Sequence, residues 1–170
     1  MHTIAILVEK EFQDLEVFYP YYRFKEEGYK VLVLGTGTAA RYTGKYGFSI
    51  AVDGNVGDYD AGDFSAVLIP GGWAPDHMRW HPEITAFVRA IDRDRKVVAS
   101  ICHGGWVLAS ADIVRGRKVT AYKAIRDDMI HAGGLFVDEE VVIDKNLITS
   151  RTPDDLPAFC KAVIAALKAE

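Results

Sequence analysis

The chain has 170 residues, 20 Lys+Arg against 24 Asp+Glu, a formal net charge of −4, and 49% hydrophobic and 26% charged residues. That length suits one α/β domain (1–170) rather than two, and the charge balance argues against a nucleic-acid or anionic-membrane surface, which needs clustered Lys and Arg. The hydrophobic content excludes a mainly disordered chain and can build a core without disulfide or metal staples.

Met1-His2-Thr3-Ile4-Ala5-Ile6-Leu7-Val8-Glu9 has no basic n-region and meets a charge early, so it does not read as a signal peptide. No apolar run approaches the roughly 18 residues of a membrane span. The expectation is a cytoplasmic protein whose two cysteines are free thiols.

Short β-rich runs alternate with helical patterns, the signature of a parallel sheet covered by helices. Ile4 to Val8 reads as a central strand buried on both faces. A helix follows from about Gln13 or Asp14, with Leu15, Phe18 and Tyr22 on its predicted buried face, a kink at Pro20, and an end at Gly28. Val31 to Leu34 is a second buried strand, and Tyr42 to Val52 suggests a hairpin on the sheet rim. After an acidic turn over Asp58 to Asp63, Ala66 to Ile69 forms a third strand, stopped by Pro70-Gly71-Gly72. Ile84, Phe87, Val88 and Ile91 mark a helix from Pro82 that leads to the strand Val97 to Ile101. A helix start at Gly104 and a strand over Lys118 to Ala121 come next. Phe136 to Ile143 and Leu147 to Ser150 alternate, and a last helix is capped at Thr152 with Pro153 in its first turn.

In open α/β sheets ligands bind at the carboxyl ends of the strands. Cys102 occupies such an end, followed by His103-Gly104-Gly105 and a helix. A sharp strand-to-helix turn there exposes a nucleophile and aims backbone N–H groups at it, favouring a thiolate. A buried structural cysteine explains the local pattern equally well. Cys160, among Leu156, Phe159, Val163 and Leu167 at core spacing, reads as structural. Gly35-Thr36-Gly37-Thr38 lacks the third glycine of a dinucleotide fingerprint and leads to a hairpin, so no nucleotide cofactor is expected. His77 and His81 have zinc-like spacing but no third ligand, so no metal is expected.

Ser100-Ile101-Cys102-His103-Gly104, Ile69-Pro70-Gly71-Gly72-Trp73-Ala74-Pro75, Glu11-Phe12, Asp127-Asp128-Met129-Ile130 and Ser150-Arg151-Thr152-Pro153-Asp154-Asp155-Leu156 together resemble the DJ-1/PfpI superfamily. The likeness is to its PfpI-like branch of intracellular cysteine peptidases, also discussed as stress proteins, deglycases and glyoxalases. The resemblance implies a three-layer, flavodoxin-like α/β fold of the class I glutamine amidotransferase type. It makes Cys102 the nucleophile, His103 its base and Glu11 the acid beside the thiol, although Glu11 also fits as a carboxylate stabilised by the first helix. Asp76, where relatives carry Glu, would complete a triad across a subunit interface, which implies a homo-oligomer of dimer or hexamer-of-dimers type. Gly72, with Gly71 and Trp73 beside it, and the His103 N–H would form the oxyanion and substrate site. Tyr122 is either a substrate-orienting residue or an ordinary rim aromatic.

Three functions follow. The first is a cysteine hydrolase of peptides, with no cofactor. The second is a deglycase or glyoxalase acting on methylglyoxal or its adducts. The third is a non-enzymatic oxidative-stress sensor using Cys102.

Overall fold

Five of the buried runs, all parallel, line up side by side in the computed structural model, which describes residues 2–169. The strands are β1 (Thr3–Leu7), β2 (Lys30–Gly35), β3 (Arg41–Thr43), β4 (Ser49–Ala51), β5 (Gly54–Asn55), β6 (Ala66–Ile69), β7 (Val97–Ile101), β8 (Lys118–Val119), β9 (Leu135–Phe136), β10 (Val142–Asp144) and β11 (Leu147–Ser150). The helices are α1 (Asp14–Glu26), α2 (Ala74–Met78), α3 (Pro82–Arg93), α4 (Gly105–Ser110), α5 (Arg126–His131) and α6 (Leu156–Lys168).

The main sheet runs β10-β11-β7-β6-β1-β2-β5, parallel except at the β10 edge. Helices α1 and α6 pack together on the sheet, and α3 and α4 form another layer against β7, giving the three-layer flavodoxin-like fold. The chain steps from β1 to β2 on one side and returns to β6 on the other. That reversal opens a crevice at the carboxyl ends of β1, β6 and β7. β6 and β7 are buried along their whole length, as a strand covered on both faces must be. Among the described residues no helix is long and apolar enough to cross a membrane.

The first helix starts where its composition says, since the Gln13 side chain accepts a hydrogen bond from Leu15 N at 2.8 Å, and Gly28 closes it with φ +84°. Its buried face is not the predicted one. Glu16, Val17, Pro20 and Phe24 point inward, whereas of the predicted face Leu15 and Tyr22 are exposed and only Phe18 packs, half-buried, against the core. The helix is apolar nearly all round, so periodicity could not choose a face, and packing against β2 and α6 chose it. The helix also continues through Pro20, which lacks the N–H that would have bonded Glu16 C=O.

The hairpin β3–β4 forms a separate ribbon rather than part of the sheet rim. Asp14 pins it, accepting from Tyr46 N at 2.9 Å and Phe48 N at 3.0 Å. Gly44 is required beneath it, because a Cβ there would lie 2.5 Å from the Asp14 carboxylate. The strand at Lys118 also leaves the main sheet, pairing with β9 after two residues.

In α6 the predicted stripe is the buried one: Leu156, Phe159, Cys160, Val163 and Leu167. Thr152 makes no side-chain cap. Asp155 makes none either; its carboxylate ties down the segment before the helix, accepting from Arg151 N and from the Arg151 guanidinium at 3.0 Å each. Phe159 is fully buried, so Phe159→Ala is expected to destabilise the fold by about 3–5 kcal/mol, measured by urea denaturation.

Candidate active site

Cys102 sits at the end of β7 with φ +59°, a left-handed conformation that non-glycine residues rarely adopt. A single turn of 3-10 helix, Cys102–Gly104, carries the chain from the strand into α4. The turn is held from both sides. Tyr122 N donates to Cys102 O at 3.2 Å, and a Cβ on Gly104 would meet Ile69 O at 2.6 Å. Gly71 lies under the thiol, where a Cβ would come within 2.7 Å of both Cys102 Cβ and Glu16 Oε2. The strained cysteine and its close-packed glycines are what a nucleophile elbow requires.

The carboxyl beside the thiol belongs to Glu16. It is fully buried, accepts from Gly71 N at 2.6 Å through Oε2, and has no nitrogen or oxygen partner for Oε1. Burial pushes its pKa up to about 7, against the lowering effect of the Gly71 N–H, the Cys102 thiol and the Lys45 charge. The thiol is pushed up to about 12, first by burial and then by the Glu16 charge, while the His103 and Gly72 N–H groups pull it down. The two groups therefore titrate as a pair. When Glu16 holds the proton, its repulsion of a thiolate disappears and only the two N–H groups remain to favour the anion.

His103 places Nδ1 3.3 Å from Cys102 Sγ. Its ring stacks on Tyr122 at 5.0 Å, meets the Trp106 indole edge-on at 5.1 Å, and lies 6.1 Å from Trp73. Burial lowers its pKa, the Lys45 ammonium lowers it further, and Asp128 opposes both. The neutral imidazole is thus the prevailing form, able to accept a proton.

These groups open into a cavity of about 360 Å³, lined by Gln13, Glu16, Lys45, Gly72, Trp73, Cys102, His103, Tyr122, Ala124 and Pro153. Gly71, Gly72, Trp73, Cys102, His103 and Tyr122 were all expected near the thiol from the sequence, and the fold brings them together. Glu11 is a correction. Its side chain is 56% exposed and faces His77 at 3.8 Å, away from the thiol. Its backbone holds the neighbouring loop instead, with Trp73 N donating to Glu11 O at 2.9 Å and Gln13 N donating to Gly71 O at 3.1 Å. That lacing of the β1 and β6 loops delivers Glu16, one turn into α1, to the thiol.

Sequence reasoning missed Glu16 because it assigned the wrong face to α1; the 17/20/24 stripe would have pointed it inward. Lys45, carried in by the hairpin, had no sequence signal. Asp76 lies on the first turn of α2, and among the described residues no hydrogen bond or ion pair joins it to His103 within one chain. No cluster of three or more His, Cys, Asp or Glu suited to a metal ion occurs among the described residues.

A model of the DJ-1/PfpI family matches residues 2–166. The Bacillus subtilis protein YraA, whose name assigns it provisionally to the cysteine proteases, is 41% identical over 165 residues, covering 97% of this chain and 98% of that protein. The Escherichia coli protein named protein/nucleic acid deglycase 2 is 41% identical over 168 residues, 98% of each chain. A crystal structure of a two-domain protein from Anabaena variabilis, containing dj-1/thij/pfpi-like and ferritin-like domains, matches with a TM-score of 0.97 and 41% identity, covering 99% of this chain and 48% of that one. The present chain thus spans about half of that two-domain protein.

Proposed function

The chain belongs to the DJ-1/PfpI family, and from that premise we propose that it is a cysteine-dependent hydrolase of small carbonyl compounds, releasing amines from aldehyde-derived adducts. The observation that carries this reading is the Cys102 thiol held between a buried Glu16 carboxyl of pKa about 7 and the neutral His103 imidazole.

The thiol gives its proton to His103 or Glu16, and sulfur bonds to the aldehyde-derived carbon of an adduct such as that of methylglyoxal on an amino group. The carbon–nitrogen bond breaks, and the amine leaves with the proton that the acid returns. In the resulting hemithioacetal a proton moves from the sulfur-bearing carbon to the adjacent carbonyl carbon through an enediol. This makes a 2-hydroxyacyl thioester with no external oxidant. Water then cleaves the thioester, freeing the 2-hydroxy acid and restoring the thiol. The Gly72 and His103 N–H groups, already directed at sulfur, are placed to hold the oxygen anion formed in the last step.

A peptidase is the second reading, favoured by the name of the Bacillus relative. It needs a carboxylate on His103, and Asp76 of a second subunit in a homo-oligomer would supply it. Parallel assays of wild type and Asp76→Ala on methylglyoxal-treated N-acetyl-lysine and on a fluorogenic peptide separate the two. The small-carbonyl reading expects adduct turnover within about 3-fold of wild type in Asp76→Ala and no peptide cleavage by either protein. Peptide cleavage by wild type that vanishes in Asp76→Ala, without adduct turnover, would replace it with the peptidase.

A further inference from the structure

The Asp127-Asp128-Met129-Ile130 segment has no part in the chemistry above, yet α5 brings one of its carboxylates to the imidazole's support. Asp128 Oδ2 accepts a hydrogen bond from Trp106 Nε1 at 2.8 Å. The same indole packs edge-on against the His103 ring at 5.1 Å, with Tyr122 stacked on that ring at 5.0 Å. Above the indole lies the Arg79 guanidinium, 5.7 Å from its ring, itself fixed by donating from Nε to Ser110 Oγ at 2.9 Å. Trp106 is therefore clamped at its nitrogen and covered on its face, and His103 rests on the clamped ring.

We propose that Asp128, acting through Trp106, is a positioning residue for His103, fixing the ring against which the imidazole packs and setting a carboxylate of the same chain behind it. The assignment rests on the reading of His103 as the proton acceptor for Cys102. An imidazole beside a thiol must be oriented, and must be stabilised when it takes a proton. Asp128 meets both needs without a partner subunit, whereas Asp76 is not joined to His103 within one chain.

The charges that act at this ring come from several elements. Lys45 approaches from the β3–β4 hairpin and opposes the imidazolium, while Asp128 from α5 favours it. The Cys102 thiol lies against its Nδ1, Glu16 of α1 lines the same cavity, and Lys123 and Arg126 line the neighbouring pocket beside Tyr122. Arg126 is engaged by its neighbour Asp127 at 3.6 Å, which makes Asp127 a matched control, an exposed carboxylate on the same helix with no bond to Trp106.

The test follows the His103 ring by NMR titration and the pH profile of Cys102 alkylation by iodoacetamide, in wild type, Asp128→Asn, Asp128→Ala, Trp106→Phe and Asp127→Asn. None of these readouts depends on the substrate, so a failure of the hydrolase reading leaves them interpretable. Asp128→Asn keeps an acceptor for the indole and removes the charge; its His103 midpoint is expected to fall by about half a pH unit. Asp128→Ala should show the same fall together with a several-fold slower alkylation, because the indole is also released. Trp106→Phe keeps a ring but loses the tether, and should slow alkylation with a smaller change in midpoint. Asp127→Asn should match wild type. A His103 midpoint unchanged in Asp128→Asn, or shifted as much in Asp127→Asn, would overturn the assignment. A loss of thermal stability without either change would assign Asp128 to the fold alone.

Discussion

Glu16→Gln is expected to make the protein more stable at pH 8 and nearly inactive. The carboxyl's pKa rises on folding from the ordinary 4.5 to about 7, with burial as the main cause. The folded chain therefore holds this proton more tightly than the unfolded one, and stability must fall as pH rises from about 4.5 through 7. Below that window both states are protonated and the group costs nothing. Above it the fold carries a buried carboxylate, at a cost of about 3 kcal/mol. Glutamine keeps an acceptor for Gly71 N and cannot ionise, so it removes the slope. Urea denaturation of wild type and variant at pH 5 and pH 8 measures this, with the curves close at the lower pH and apart at the higher. Turnover should drop about 100- to 10,000-fold, the usual contribution of a positioned acid–base group. A variant as active as wild type would show that the thiol does not depend on this proton. A variant with the same pH slope of stability would show that Glu16 ionises freely in the fold.

Replacing Cys102, the proposed nucleophile, should have the larger effect on activity. Cys102→Ala is expected to abolish adduct turnover to the limit of detection, and Cys102→Ser to do nearly the same, because an alcohol cannot be ionised by groups poised for a thiol. The two cysteines offer an internal control. Burial pushes both thiols up to about 12, but Cys102 opens onto the cavity, whereas Cys160 is fully buried in α6. Under native conditions iodoacetamide should label Cys102, faster as pH rises, and reach Cys160 only on unfolding. Mass spectrometry of the two tryptic peptides reads both rates at once. Equal labelling of the two would remove the argument for a special thiol environment.

Much of this molecule is legible in its amino-acid sequence. The buried β strands, the α3 stripe Ile84/Phe87/Val88/Ile91 and the α6 stripe around Cys160 follow from apolar runs and a clean 3.6-residue period. The elbow was legible because glycines cluster where a bulky strand ends, at Gly71, Gly72 and Gly104. The acid was not. In α1 aromatic and aliphatic side chains occur on every face, so the Val17/Pro20/Phe24 stripe that carries Glu16 inward did not stand out from the face holding Leu15, Phe18 and Tyr22. Glu11, placed immediately after β1, was the acid that sequence order suggested. The detached ribbon β3–β4 was equally hidden, since its position depends on the Asp14 carboxylate reaching the backbone at Tyr46 and Phe48.

By itself the sequence determined the class of the fold, because a hydrophobic period is local to a segment. It also put Cys102 at a strand end followed by glycines, a pattern that a buried structural cysteine fits as well as a nucleophile and that only the family resemblance weighted. Which carboxyl lies beside the thiol, which cation approaches it and what the imidazole rests on were decided by the tertiary structure. Each depends on groups from different loops meeting across the carboxyl ends of β1, β6 and β7 in a desolvated space. There burial raises the Glu16 pKa to about 7, and no pattern along a single segment encodes burial of that kind.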